Sequence, residues 1–238
     1  MFKLALNAGH YMGTPGKRCS KSLDKNETRE WWLNNRICDK IEEKLKAYEG
    51  YQLLRIDDTT GATDVELSKR MTKANSWGAD FYLSVHHNAG VYGGSGGGVM
   101  AYVYTKVDDI TRAWQKALYD AIIAKTGLKG NRSTPLASAN LYECRKTAMP
   151  CVLLECGFMD SKVDVPIILT DAFADQVATA CVEVIVARGG LTKKAVEIPT
   201  TGNKLYRVQV GAYKVKANAD NMAKKLKDAG FSAIIVEA

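Results

Sequence analysis

Short apolar segments alternate with longer amphipathic segments along residues 1–190, and this alternation restricts the possible folds more than any other feature of the chain. The apolar segments are typical of strands: KLALNAGH, YQLLRID, DFYLSVHHNA, VMAYVY and MPCVLLECGF. Between them apolar residues recur at helical spacing, as at Leu33, Ile37, Ile41 and Leu45. Strands that alternate with helices predict an α/β fold with a mostly parallel sheet and helices on both faces.

Three residues with chemically versatile side chains fall at or near the ends of predicted strands. His10 follows the first strand, His86 lies late in the third, and Glu155 lies late in the last. In open α/β sheets the functional residues collect at the carboxyl ends of the strands. The predicted topology therefore brings these three side chains to one edge of the sheet.

Two of the three histidines in the chain, His86 and His87, are adjacent. Neighbouring side chains of a regular strand point to opposite faces, so the two rings are not expected to converge on one ion. At most one of them is predicted to bind a metal, and the remaining ligands must come from other segments.

A hydrolytic zinc site uses about three protein ligands, commonly His with Asp or Glu, and keeps one position open for water. The candidates are His10, His86 and an acidic pair at the start of the first helix, Glu27 and Glu30. Glu155 differs because it interrupts the apolar run CVLLECGF. A carboxylate buried in this way is either a general base with a raised pKa or the partner of a buried Arg or Lys, and the sequence alone favours neither.

A segment without apolar periodicity divides the chain. Residues 190–203 contain Pro, Gly and Thr and are predicted to link a domain of residues 1–189 to a small α+β piece of residues 204–238, with the order strand, helix and strand. From Lys193 to Ala238 there are nine basic and four acidic residues, so this part carries +5 of the net charge of +7. A basic surface is either solvated or favours an anionic partner, but no motif indicates nucleic acid.

Other features exclude several classes of protein. No apolar run reaches the ~20 residues that cross a bilayer, so no membrane insertion is expected. The segment MFKLALNAGH is too short for a secretory signal, which predicts synthesis in the cytoplasm without a signal peptide. The six cysteines form no CxxC pair and are predicted to be free and buried. The run GGSGGGV lacks the lysine and the following helix of a phosphate-binding loop and is predicted as a flexible loop.

Four motifs occur in the same order as in a known enzyme family: LNAGH, EWWLNNRI, the spaced set R…AN…AD…SVHHN, and PCVLLECGF. In these motifs the chain resembles the zinc-dependent N-acetylmuramoyl-L-alanine amidases of the amidase-3 type, found among autolysins, sporulation lysins and phage endolysins. The resemblance covers most of residues 1–188. It implies hydrolysis of the amide between N-acetylmuramic acid and L-alanine, with peptidoglycan as substrate and Zn²⁺ as cofactor.

The resemblance also implies roles for individual residues. The family binds zinc through the His of the first motif, a Glu that opens the next helix and the first His of the third motif, here His10, Glu30 and His86. His87 is then not a ligand, and Glu30 is preferred to Glu27 by the spacing of the second motif. Glu155 corresponds to the catalytic base, which takes a proton from zinc-activated water and passes it to the leaving amine. Three further residues match family positions, and buried hydrogen bonds explain them as well as contact with the substrate does: Arg70, Asn75 and Asn88.

The segment from Tyr206 to Ala238 resembles the first half of a SPOR domain, a module that binds glycan strands stripped of their peptides, so denuded glycan is a predicted partner. Two alternatives to the amidase remain at this point: a zinc peptidase that cuts the stem peptide, and a non-catalytic wall-binding protein. Without a signal peptide, the enzyme is expected to reach the wall after release by a holin or by lysis of a mother cell.

Overall fold

The computed structural model describes residues 1–195 and 208–236. The chain divides into two units, Met1–Lys194 and Ala195–Ala238. The strands of the first unit are β1 (Phe2–Ala8), β2 (Tyr48–Glu49), β3 (Tyr51–Arg55), β4 (Phe81–Asn88), β5 (Val99–Val103), β6 (Leu136–Ser138), β7 (Cys151–Phe158) and β8 (Thr192–Lys193). Its helices are α1 (Glu30–Leu45), α2 (Leu67–Trp77), α3 (Asp109–Thr126), α4 (Tyr142–Lys146), α5 (Val165–Ile168) and α6 (Asp171–Gly189).

Six of the strands form the central sheet, in the order β3-β1-β4-β7-β5-β6. All neighbours in this sheet are parallel except β5 and β7, which are antiparallel. The predicted α/β fold with a mostly parallel sheet is therefore confirmed. A separate antiparallel pair joins β2 to β8.

The helices cover both faces of the sheet, as the alternation predicts. Leu4 and Leu6 of β1 belong to one apolar cluster, with α1, α3 and α6, whereas Ala5 belongs to a second cluster, with α2 and α4. The predicted apolar stripe of α1 is buried in the first cluster: Leu33, Ile37, Ile41 and Leu45 are at most 1% exposed. A fully buried Leu or Ile contributes about 1.5–3 kcal/mol relative to an exposed one, so this stripe fixes how α1 lies on the sheet.

The sequence predicts that α2 and α3 end at Gly78 and Gly127 and that Asp64 caps the start of α2, and the two glycine ends are confirmed. Gly78 and Gly127 follow α2 and α3 in the left-handed conformation that glycine adopts without strain. The proposed cap of α2, Asp64, is wrong: the residue at the cap position is Glu66, and its side chain makes no capping hydrogen bond. Asp64 lies further out, where its carboxylate is 3.8 Å from the guanidinium of Arg70. All six cysteines are buried and free, as expected.

The first residues of the predicted linker, 190–203, belong to the first unit. Leu191 is buried, and Thr192–Lys193 pair with Tyr48–Glu49 in an antiparallel ladder. The linker therefore begins later than predicted, and residues 196–203 lie outside the described residues.

The second unit contains one helix among its described residues, α7 (Lys216–Asp228). The helix was predicted, but no strand forms in 208–215 or in 229–236, so the predicted flanking strands are absent from the described part of this unit. Strands need hydrogen-bonding partners and an apolar face to pack against, and the described side chains beside this helix are nearly all exposed. Neither unit has, in its described residues, a helix with the length and hydropathy needed to cross a bilayer.

Candidate metal centre and active site

Three side chains with metal-binding atoms converge where β1 and β4 end and α1 begins. They are His10, which follows β1, Glu30, the first residue of α1, and His86 in β4, and their ligand atoms all lie within 4.8 Å of one another. Glu30 Oε1 is 3.3 Å from His10 Nε2 and 3.2 Å from His86 Nδ1. The two imidazole rings are nearly perpendicular, at 87°, with centroids 5.0 Å apart. Two imidazole nitrogens thus lie around one carboxylate oxygen near the carboxyl ends of β1 and β4.

The position of His10 depends on an unusual backbone conformation. Its φ angle is +67°, in the left-handed region that disfavours residues with a side chain. The buried guanidinium of Arg70 donates hydrogen bonds to the carbonyl oxygens of His10 and Ala8 and to Asn7 Oδ1. These bonds hold the turn that follows β1. The match of Arg70 to the family motif is therefore explained by its support of His10.

Gly9 lets the His86 ring lie directly against the chain that carries His10. A Cβ atom at Gly9 would collide with the Cε1, Nδ1 and Nε2 atoms of His86. The glycine of the first motif is consequently needed for close approach, and any side chain there would displace the ring.

Glu30 is ionised although it is completely buried. Burial by itself raises the pKa of this carboxyl, but the contacts with His10 and His86 outweigh burial and hold the pKa well below its usual range. The ammonium of Lys17 lies 3.6 Å from Glu30 Oε2 and adds a positive charge beside the carboxylate. The site therefore keeps an anionic oxygen at its centre.

Glu27, the alternative to Glu30 in the sequence, lies elsewhere. Its carboxylate is 3.0 Å from Arg18 Nε, and the side chain is 31% exposed. Only Glu30 of the acidic pair contributes an atom to the cluster.

His87 has a different environment from His86. It is 2% exposed, and its Nδ1 lies 2.8 Å from Asn34 Oδ1, while the Asn34 amide donates to the Gly9 carbonyl. Burial lowers the pKa of His87 to about 3, so the ring is neutral and ties α1 to the sheet. Its side chain takes no part in the cluster, although its backbone amide donates to Glu30 Oε1 at 3.2 Å.

Glu155 lies on β7 directly opposite His86 in the strand register. The register shifts just beyond this pair, so that Asn88 is paired with Phe158, and such irregularities often redirect side chains near active sites. Burial raises the pKa of Glu155 to about 8, against the opposing influence of His86. Glu155 Oε2 is buried and has no hydrogen-bond partner among the described residues. The alternative of an ion pair with a buried Arg or Lys is not found there.

One acidic side chain of the site was not anticipated from the sequence. Glu143 of α4 is 4% exposed and its Oε2 lies 3.6 Å from His86 Nε2. It stands in a short polar segment, YECRK, whose pattern gives no sign of burial.

Asn75, which matches a family position, has a packing role, since its side chain forms hydrogen bonds with the backbone of Lys146 and Ala148. The third match, Asn88, is partly exposed and donates to Met100 Sδ at 3.8 Å.

Comparison with known protein families identifies the family to which this chain belongs. Residues 4–187 match the family model of N-acetylmuramoyl-L-alanine amidases, and residues 187–237 match that of the SPOR domain. The chain belongs to the N-acetylmuramoyl-L-alanine amidase family. The amidase is 32% identical over 238 residues to the sporulation-specific N-acetylmuramoyl-L-alanine amidase of Bacillus subtilis (strain 168), spanning 99% of this chain and 85% of that protein.

Other relatives agree with this assignment. The amidase is 37% identical over 130 residues to the endolysin of Bacillus phage SPP1, covering 55% of this chain and 48% of the endolysin. The N-acetylmuramoyl-L-alanine amidase of Clostridium difficile 630 has the same fold, with a TM-score of 0.70 and 22% identity over 78% of this chain and 95% of that one. The family match and these relatives show that the protein is a peptidoglycan amidase. They favour this function over the two alternatives, a peptidase that cuts the stem peptide and a non-catalytic wall-binding protein.

Proposed function

We propose that this amidase is zinc-dependent, with His10, Glu30 and His86 as the metal ligands and Glu155 as the general base. The convergence of the three ligand atoms beside Glu155 is the observation that carries the proposal. His10, His86 and Glu155 lie at or near the carboxyl ends of strands, where functional groups collect in α/β proteins, and Glu30 joins them from the start of α1.

The donor set fits zinc better than a hard cation. Two imidazole nitrogens and one carboxylate are typical of hydrolytic zinc sites, whereas Mg²⁺ and Ca²⁺ prefer oxygen ligands. Ligands held about 2.0 Å from a tetrahedral ion are about 3.3 Å apart, and Glu30 Oε1 lies 3.3 Å from His10 Nε2 and 3.2 Å from His86 Nδ1. Bound zinc would supply Lewis acidity, which makes water a better nucleophile near neutral pH and polarises the amide carbonyl.

Glu155 is suited to move the proton of this reaction. With its pKa raised to about 8 by burial, the carboxyl is mainly protonated at neutral pH in the metal-free protein. A nearby divalent cation would favour the ionised form, and Glu155 would then be available as a base. Glu155 then accepts a proton from the attacking water and donates it to the L-alanine amine as the amide bond breaks. In the sheet, Glu155 is paired with the polar residue His86 of β4 on one side and with the apolar residue Met100 of β5 on the other.

Zinc titration of the metal-free protein tests the ligand assignment. We expect one tight site per chain, and we expect His86→Ala to weaken it by more than about 100-fold, because even changes beyond the ligands cost ~10–100-fold. Competition with a chromogenic chelator measures both dissociation constants. A wild-type protein without a tight site, or a His86→Ala variant that binds equally well, would contradict the assignment.

We further propose that the SPOR segment binds glycan strands stripped of peptides. The match to the SPOR family over residues 187–237 supports this partner. The described part of the segment also exposes two aromatic rings, Tyr213 at 41% and Phe231 at 65%. Exposed aromatic faces can pack on the apolar faces of sugar rings while the polar edges stay hydrated.

Removing residues 195–238 is expected to abolish binding to denuded glycan and to leave the cleavage of soluble muropeptides within about twofold. The cut follows Lys194 because β8 belongs to the first unit. Pull-down of the chelated protein with amidase-treated sacculi measures binding without cleavage, and sacculi that retain their peptides are the control. Equal retention of the full and shortened chains would overturn this proposal.

A further inference from the structure

We propose that Glu143 is a positioning residue of the metal centre, whose carboxylate accepts the Nε2 hydrogen of His86 and so leaves Nδ1 free to bind the metal. This inference rests on the proposed zinc site. It adds a residue from α4, a helix that contacts α2 and β7 and contributes no atom to the cluster of proposed ligands.

The two ring nitrogens of His86 face different carboxylates. Nδ1 lies 3.2 Å from Glu30 Oε1, on the side of His10, whereas Nε2 lies 3.6 Å from Glu143 Oε2. Nε2 is buried and has no hydrogen-bond partner in the part of the chain that the structure describes. The N–O separation exceeds a hydrogen bond by about half an ångström, so a small rotation of the ring completes the contact.

The Glu143 carboxylate is held firmly in place. Oε1 accepts hydrogen bonds from Asn7 Nδ2 at 2.9 Å and from the Tyr82 hydroxyl at 3.3 Å. Oε2 accepts from the Ser84 hydroxyl at 2.7 Å. These donors come from β1 and β4, the strands that precede or carry the histidine ligands. The remaining acceptor capacity of Oε2 is on the side of His86.

The charge balance of this cluster also indicates a role toward the imidazole. Among residues 1–195 and 208–236 no Lys or Arg forms an ion pair with Glu143, whose charged contact is His86. The buried Arg70 reaches it only indirectly, through Asn7 Oδ1 at 2.8 Å. A buried carboxylate costs free energy unless it is well paired, and a neutral residue would serve packing equally well. The imidazole N–H is therefore the partner that explains a carboxylate here.

A carboxylate gives this contact a direction. An ionised Glu accepts hydrogen bonds and cannot donate them, so it stabilises the ring only when Nε2 carries the hydrogen. Nδ1 then has a lone pair directed at Glu30 and His10. Carboxylate–histidine–metal arrangements of this kind fix the ring and strengthen its nitrogen as a ligand.

Glu143→Gln is the informative substitution because it keeps the shape of the side chain. To satisfy Asn7 and Tyr82, the amide oxygen must take the Oε1 position, which places the NH₂ group at Oε2, facing Ser84 and His86. That donor favours the opposite tautomer, with hydrogen on Nδ1. We expect zinc affinity to fall by about 10–100-fold, the range found when outer partners of metal ligands are removed.

Tyr82→Phe is the matched control, since it removes one hydrogen bond to Glu143 but leaves the carboxylate beside His86. Zinc affinity should then stay within about threefold of wild type. Chelator competition measures each affinity, and thermal unfolding of the metal-free proteins checks the fold. If Tyr82→Phe and Glu143→Gln weaken zinc equally, Glu143 has only a structural role.

Nitrogen-15 NMR of the zinc-loaded wild-type protein tests the proposal without any variant, and three histidines make the spectrum simple to assign. We expect the His86 hydrogen on Nε2, shifted downfield by a strong hydrogen bond, and the metal on Nδ1. Metal on Nε2 would overturn the inference even if the site itself is correct. If the wild type binds no zinc, the proposed metal site fails instead, so the two failures are distinguishable.

Discussion

Glu155→Gln is expected to lower the rate of amide hydrolysis by about 10²–10⁴-fold, the contribution of a well-placed general base. Glutamine has the same shape as glutamic acid but cannot accept and return a proton at neutral pH. The proposed ligands are unchanged, so zinc affinity should stay within a few-fold of wild type. The result expected is therefore an enzyme that folds and binds metal but does not turn over.

The rate is measured as new L-alanine amino groups released from purified peptidoglycan at saturating zinc. Glu183→Gln is a suitable control, because Glu183 is a half-exposed residue of α6 that pairs with Lys125. If Glu155→Gln retains more than about a tenth of the wild-type rate while Glu183→Gln is unaffected, another group is the base.

Glu30→Gln is expected to weaken zinc binding by more than about 100-fold, and to lose activity at low free zinc. Glu30 supplies the anionic oxygen that lies between His10 Nε2 and His86 Nδ1. Without it, the site offers the two imidazole rings and the ammonium of Lys17. Repulsion between the Lys17 ammonium and a dication adds to the loss of the ligand.

Glu27→Gln provides the comparison, since Glu27 stands three residues away on the chain and pairs with Arg18 on the surface. Its zinc affinity and its rate should match those of wild type. Excess zinc should partly restore Glu30→Gln, because two ligands remain. Equal zinc affinity in the two variants would remove Glu30 from the ligand set.

The fold was largely predictable because its determinants are local. The apolar stripe of α1 shows in the spacing of Leu33, Ile37 and Ile41, and all three are buried. The elements that were missed are short: β2 and β8 have two residues each, β6 has three, α5 has four and α4 has five. Such elements are too short for a periodic pattern, and tertiary contacts determine them. The cap of α2 was misplaced because Asp64 is a common cap residue that here lies outside the helix.

Part of the site could also be predicted. His10, His86 and Glu155 each follow or end a strand, and parallel strands end at the same edge of a sheet, so their convergence follows from topology. Glu30 required knowledge of the family, because the sequence itself offered Glu27 equally. Glu143 could not be predicted, since its burial depends on how α4 packs against α2 and β7. The same holds for the contact between His87 and Asn34, which joins a strand to a helix 53 residues away.

The central claim is most directly tested by counting the amino termini that appear when the protein acts on purified peptidoglycan. The count is made with the protein as prepared, after chelation, and after zinc is restored. The proposed mechanism predicts new L-alanine amino termini that vanish with the chelator and return with zinc. New L-alanine termini that persist undiminished in the metal-free protein would contradict the zinc centre at His10, Glu30 and His86.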